Sequence, residues 1–347
     1  MIDDSSSPSK KRRVTIRDVA RVSGVSYATV SRVLSGYEFV REATRTRVME
    51  AVEHLGYVAN LPARSLAGGH SQIIGLLVPN LDNGYVGTIT QGIDQALARA
   101  NYDLLLYTSH RHPGKESYYV SAIPNGLTEG MLLVAPLVPT AYLDSLREQN
   151  FPYVLIDQAD TTENSCVVEA TNWQGAYEAT RYLIELGHTR IAFIKGASVM
   201  RSATDRLRGY KAALADYDIL VNEKLVVEGD YQQQTAYETT RRLLQNAEDP
   251  PTAIFASNDL SAFGAMDAVR ECGFQIPSDI SIIGFDDIPQ ASLLYPKLTT
   301  VRQPLEQMGQ VAVKLLLERI EDQGLPPQRV VLATQLVIRD SCAPRQT

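Results

Sequence analysis

The chain has 347 residues, 44% of them hydrophobic and 21% charged, with a formal net charge of −7. That length asks for two or three folded units, and that composition excludes collagenous, low-complexity and wholly disordered chains. No run of about 18 uncharged apolar residues offers a membrane span, and the polar, then basic start contains no apolar segment of secretory type, so a soluble cytoplasmic protein is expected. Cys166, Cys272 and Cys342 are scattered without metal-ligand spacing, so neither a disulfide framework nor a zinc site is expected.

The charge is unevenly divided. Residues 1–70 hold eleven Lys and Arg against seven Asp and Glu, a net of +4, which leaves −11 for the remainder. A basic head on an acidic body suggests that the head meets a polyanion. Residues 1–13, Ser-rich and then basic from Lys10 to Arg13, read as a disordered arm. From Val14 onward Ile16, Val19 and Ala20 share one helical face, as do Val30, Val33 and Leu34. Thr15 with Asp18, and Ser26, are N-cap candidates, and Gly24 marks the turn between two short helices. A third helix is predicted from Arg45 to Leu55, burying Val48, Ala51, Val52 and Leu55 and stopping at Gly56. A helix-turn-helix sends the start of its second helix into the DNA major groove. Tyr27, Ala28 and Arg32 would then face bases, Arg32 pairing with guanine and Ala28 meeting a thymine methyl. Thr15 and Ser26, at the helix starts, and Thr29 and Ser31 complete the candidate DNA-binding set of residues 14–59. Two small helices with a Gly turn are also a common packing motif. Periodicity leaves the two readings close, and the local basic charge favours DNA.

The run TIRDVARVSGVSYATVSRVLSG, residues 15–36, resembles the N-terminal domain of LacI/GalR family transcription regulators, and the resemblance extends across almost the whole chain. It implies that Tyr27, Ala28 and Arg32 sit where that family reads its operator, although Ala28 cannot make the polar base contact that a Gln there would. Residues 60–71 read as an ordinary linker by composition, too short for a stable helix alone. By resemblance they match a hinge helix that folds when two copies pair in the minor groove, with Leu66 as the intercalating wedge and Asn60 and Ala63 as flanking contacts.

From residue 72, strand-like runs (Ile73–Val78, Leu104–Tyr107, Met131–Val134, Val154–Ile156, then Ile191–Ile194, Ala253–Ala256, Ile280–Phe285) alternate with amphipathic stretches such as Ile89–Ala100, Tyr142–Gln149, Ala176–Glu185, Arg206–Leu214 and Ala262–Arg270. Two successive sets predict an α/β core of two parallel-sheet subdomains behind the three-helix head. The resemblance implies a two-lobed core like that of periplasmic sugar-binding proteins, with an N-lobe of about residues 72–170 and 302–329 and a C-lobe of about 171–301 and 330–347. Parallel sheets bind ligands beyond the carboxyl ends of their strands, where Asp157, Asn258 and Asp286 stand. The resemblance assigns these three, with Tyr85, Arg206, Tyr231 and Gln303, to an effector site, and Trp173, near a lobe crossover, joins them as a candidate. Aromatic faces beside charged and amide groups suit a sugar. Val86 stands where purine-responsive relatives carry a stacking aromatic, which argues against a purine. Asp259 and Asp287 are expected as helix caps, His188 as a structural hydrogen bonder, and His110 and His112 as too close together to ligate a metal. No cofactor is implied.

The expected function is a sequence-specific transcription regulator, a repressor acting as a homodimer on a pseudo-palindromic operator and controlled by a small effector. Without a leucine heptad tail after LVIRDSCAPRQT, a dimer is expected rather than a tetramer. A sugar-binding protein without DNA activity would require an accidental match in the head. An enzyme would have to work through Asp286 and Asp287 without a nucleophile elbow, P-loop or HExxH motif.

Overall fold

The computed structural model describes residues 14–34, 37, 39–57, 71–81, 84–122, 127–137, 140–158, 164–246 and 249–345. The chain divides into two compact units, residues 1–71 and 72–347. The arm and the expected hinge residues Asn60, Ala63 and Leu66 lie outside the described residues.

The first unit holds α1 (Ile16–Ser23), α2 (Tyr27–Leu34) and α3 (Glu42–Leu55). The Asp18 carboxylate accepts both the Thr15 N–H at 3.0 Å and its hydroxyl at 2.8 Å, which anchors the start of α1. Gly24, at φ 67°, ends α1 in the left-handed conformation that a side chain would strain. Ser26 Oγ then accepts the Thr29 N–H at 3.2 Å and starts α2. Val19, Val30, Val33, Val48 and Ala51 form the shared core. The third helix starts at Glu42 rather than Arg45. Glu42 and Ala43 face solvent, so the apolar period that defined the predicted helix is silent over its first turn.

The second unit runs β1 (Ile73–Val78), α4 (Gly84–Arg99), β2 (Asp103–Thr108), α5 (Pro113–Ala122), β3 (Gly130–Val134), α6 (Thr140–Glu148), β4 (Tyr153–Ile156), β5 (Cys166–Ala170), α7 (Asn172–Glu185), β6 (Ile191–Lys195), α8 (Arg201–Asp216), β7 (Val226–Glu228), α9 (Gln233–Asn246), β8 (Ala253–Ala256), α10 (Asp259–Glu271), β9 (Ser281–Asp286), β10 (Thr299–Arg302), α11 (Leu305–Glu321), β11 (Arg329–Leu332) and β12 (Gln335–Val337). These strands make two six-stranded sheets, ordered β11-β5-β4-β3-β1-β2 and β12-β10-β9-β8-β6-β7. Every pairing is parallel except that of β12 with β10. Strands β1, β3, β4, β8 and β9 are buried along their whole length. Helices cover both faces of such sheets, which is why these strands read as unbroken aliphatic runs.

The chain passes between the sheets after β5, after β10 and between β11 and β12. The third passage lies beyond the expected boundary at 329/330. Arg329–Leu332 pairs in register with Val167–Ala170 and so belongs to the first sheet. The run RVVLATQLV offers no Gly or Pro at the break, so nothing local marks where one sheet ends and the other begins. The polar helix α9 was also unmarked, because it buries only Ala236, Thr240 and Leu244 as its inner row.

Phe255, fully buried on β8, meets Phe193 edge-on with ring centroids 5.2 Å apart. Phe255→Ala should cost about 3–5 kcal/mol, read as a lower urea midpoint for unfolding of the core.

Candidate functional site

Strands of both sheets direct their carboxyl ends at one cleft. Pro79 follows β1, Arg111 follows β2, Ala135 and Leu137 follow β3, Asp157 follows β4, Tyr231 follows β7, Asn258 follows β8, and Asp286 ends β9. Tyr85 and Val86 enter from the first turn of α4, Met200 from the residue before α8, and Arg206 from within it. Several of these residues hold left-handed backbone: Arg111 at φ 56°, Ala135 at 44°, Asp157 at 58°, Tyr231 at 57° and Asp286 at 118°. Such backbone costs about 1–3 kcal/mol at a non-glycine residue. Its concentration here turns side chains off the strand ends and into the cleft.

Arg206 is the centre of the site, with 2% of its surface exposed. Its Nε donates to Asn172 Oδ1 at 2.8 Å and its Nη1 to the Ser257 carbonyl, while Asp286 Oδ1 lies 3.5 Å away. The guanidinium stacks 3.8 Å from the Phe285 ring centroid and 5.6 Å from that of Tyr231. Burial opposes its charge, but Tyr231, Asp286 and Asp157 outweigh burial and hold its pKa above the ordinary value. The Tyr231 ring rests against Gly196, where a Cβ would fall 2.2 Å from the ring, so no larger residue fits. Asn258 Oδ1 accepts the Ser261 N–H at 2.9 Å and caps α10, and its Nδ2 donates to the Tyr231 carbonyl at 3.3 Å.

The carboxylates are held against their charge. Burial pushes Asp157 up, against the attraction of Arg206 and the hydrogen bond from Tyr85 Oη to Asp157 Oδ2 at 2.8 Å. Burial likewise pushes Asp286 up to about 7, against Arg206 and the 2.8 Å bond from Gln303 Nε2 to Asp286 Oδ1. Among the described residues, Asp157 Oδ1 is buried without a well-formed hydrogen bond. A buried acceptor of this kind is a place for a ligand's donor.

Tyr85, Asp157, Arg206, Tyr231, Asn258 and Asp286 are thus brought together. Gln303 is buried behind Asp286 and holds it without lining the cleft. Trp173 is a correction. It lies on α7 outside the lining, its ring stacked on Tyr177 with centroids 5.4 Å apart, and its neighbour Asn172 is the residue that reaches Arg206. On a helix one position turns the side chain by about 100°, a difference that sequence proximity to the crossover cannot show. Arg111, Leu137 and Met200 were missed, although for Arg111 the strand-end rule, applied to β2, would have found it. The expected caps also move. Asp259 accepts the Ile288 N–H at 2.8 Å and the Thr300 hydroxyl, leaving the cap of α10 to Asn258. Asp287 pairs with Arg302 at 2.7 Å and Arg339 at 2.6 Å. His188 contacts Thr252 Oγ1 and Ser281 Oγ at 3.0 Å and the Ala343 carbonyl at 3.1 Å, and burial lowers its pKa, so it ties the C-terminal segment down as a neutral ring.

In the first unit, α2 buries Val30 and Val33 and turns Tyr27, Ala28 and Arg32 to solvent. Arg32 extends over the Tyr37 ring, 5.7 Å from its centroid. Ser26 Oγ and Thr29 Oγ1 are 2.8 Å apart, Ser31 is half-buried, and the Thr15 hydroxyl is engaged by Asp18.

Residues 15–60 match the model of bacterial regulatory proteins of the lacI family, and residues 180–342 match a periplasmic binding protein-like domain. The chain is 35% identical over 334 residues to the HTH-type transcriptional repressor PurR of Proteus mirabilis, spanning 95% of this chain and 97% of the relative. The chain belongs to the LacI family. The Lac repressor dimer bound to operator and the anti-inducer ONPF superposes with a TM-score of 0.83 at 29% identity, covering 96% of this chain and all of that one. The regulator CelR in complex with cellobiose gives 0.74 at 32% identity over 95% of this chain and all of CelR. A ribose-bound LacI family regulator from Enterococcus faecium gives 0.72 at 30% identity over 79% of this chain and all of that regulator. Like these relatives, this LacI-family chain joins a helix-turn-helix domain to a two-sheet effector-binding core. Among the described residues, no group of three or more His, Cys, Asp or Glu could hold a metal ion, and no helix is long and apolar enough to cross a membrane.

The raised carboxyl of Asp286 makes stability depend on pH. The folded chain keeps this proton up to about pH 7, whereas an unfolded chain releases it near 3.8, so stability falls as pH rises between those values and the full cost remains above them. The melting temperature should therefore decline from pH 4 to 7 more steeply in the native chain than in Asp286→Asn.

Proposed function

We propose that the protein is a transcriptional repressor of the cytoplasm, not an enzyme, which binds a pseudo-palindromic operator as a homodimer and is controlled by a polyhydroxylated, sugar-like effector. The observation that carries this reading is the cluster of Arg206, Asp286, Asn258 and Asp157 at the strand ends, with Asp157 Oδ1 buried and making no well-formed hydrogen bond among the described residues. A buried guanidinium, two carboxyls and an amide around one space can both donate to and accept from vicinal hydroxyls, and the Tyr231 and Tyr85 rings offer flat faces beside them. Cellobiose and ribose in two related structures support a sugar. The exposed face of α2 supplies the base-reading side chains Tyr27, Ala28 and Arg32, with Thr15, Ser26, Thr29 and Ser31 at the phosphates. Asn60, Ala63 and Leu66 serve as the minor-groove contacts of this proposal. An effector bound across the cleft changes operator affinity by its differential affinity for the two states of the core.

Differential scanning fluorimetry against sugars and nucleosides tests the effector class, since a ligand of the folded state raises the melting temperature. Sugars should do so and nucleosides should not. Asp286→Asn should weaken the effector response about tenfold or more in a fluorescence anisotropy assay with operator DNA, and a native dose response would remove Asp286 from the site. Arg32→Ala should cost about 1–3 kcal/mol of discrimination between operator and altered operator. Equal weakening on all sequences would reassign Arg32 to the phosphates.

A further inference from the structure

The cleft has a second polar feature that the hydroxyl-reading cluster does not use. Arg111 lines it from the loop between β2 and α5. Two consecutive left-handed residues, His110 at φ 51° and Arg111 at φ 56°, turn the chain there, and the Arg111 N–H is bound to the Pro79 carbonyl at 3.2 Å. The guanidinium itself has no partner among the described residues. Among the described residues no carboxylate pairs with it and no side-chain hydrogen bond is made, and its Nε is shut off from solvent. The acid that follows it on α5, Glu116, is turned inward to Ser109 Oγ, the Leu137 N–H and Tyr142 Oη. Asp157 and Asp286 answer to Arg206 on their side of the cleft.

A protein that leaves a guanidinium donor dry and unpaired on strained backbone holds it ready for something else. The planar fork of an arginine matches the paired oxygens of a carboxylate or phosphate better than it matches a single hydroxyl. We propose that the effector is a sugar bearing an oxyanion, a sugar acid or a sugar phosphate, whose anionic group is bound by Arg111 while its hydroxyls meet Arg206, Asn258 and Asp286. This deepens the effector reading given above and rests on it. Ala135, Leu137 and Ile288 also line the cleft and offer an apolar surface to the carbon face of the ligand.

The test is calorimetric titration of the full chain with glucose, ribose and cellobiose, with gluconate and glucuronate, and with glucose 6-phosphate and ribose 5-phosphate. At least one acid should bind about tenfold or more tightly than every neutral sugar, and the carboxylate and phosphate arms identify which anion is preferred. Arg111→Gln should erase that difference, and Arg111→Lys, which keeps the charge without the fork, should restore part of it. If neutral sugars bind as well as the acids, or if Arg111→Gln leaves the preference intact, the anionic effector is overturned and the sugar reading stands. If none of these compounds binds, the sugar reading falls and takes the anionic effector with it.

Discussion

A guanidinium with almost no contact with water stays in place only if its charge and its donors are matched within the protein. Arg206 meets that demand from several segments at once. Asn172 begins the helix after the first passage between sheets, Ser257 and Asp286 end strands of the second sheet, and Gln303, which holds Asp286, sits at the start of the second passage. The third passage is tied to the first, since Thr334 N donates to Thr171 Oγ1 at 2.8 Å, next to Asn172. The connections between the lobes and the polar centre of the cleft are therefore one hydrogen-bonded system.

The cost of this arrangement is spread over backbone and electrostatics. Left-handed residues cluster at the strand ends, and two carboxyls are buried with their pKa values raised. Neither feature stabilises the fold of the core. Both are the local violations expected where a structure is shaped for a partner rather than for its own stability. The surrounding sheets tolerate them because β1, β3, β4, β8 and β9 are apolar and buried along their whole length, and Phe193, Phe255 and Phe285 share one buried cluster.

How far this was legible in the amino acids varies from element to element. The strands β1, β3, β4, β6 and β8 were readable because a strand buried on both sides must be aliphatic throughout. The two short helices of the first unit were readable because Thr15, Asp18, Gly24 and Ser26 are local devices acting on their own neighbours. Helix starts were less so: α8 begins at Arg201, five positions ahead of Arg206, since a first turn need not carry the apolar period. Of the site, Asp157, Asn258 and Asp286 followed from a rule about strand ends, and Tyr85, Arg206 and Tyr231 from resemblance.

The sequence by itself determined the class of the molecule: a basic three-helix head, an acidic two-sheet core, and a row of polar residues at the carboxyl ends of aliphatic strands. These depend on composition and on periodicities of two and 3.6 residues, which act over a few neighbours. Only the tertiary structure decided that Asn172 and not Trp173 reaches Arg206, that Asp287 is spent on Arg302 and Arg339, that Arg329–Leu332 belongs to the first sheet, and that Arg111 lines the cleft. Each of those outcomes is a choice of partner between residues far apart in the chain, or of one helical face over the next. Such choices are made by the packing of the whole fold and leave no local trace in the residues that make them.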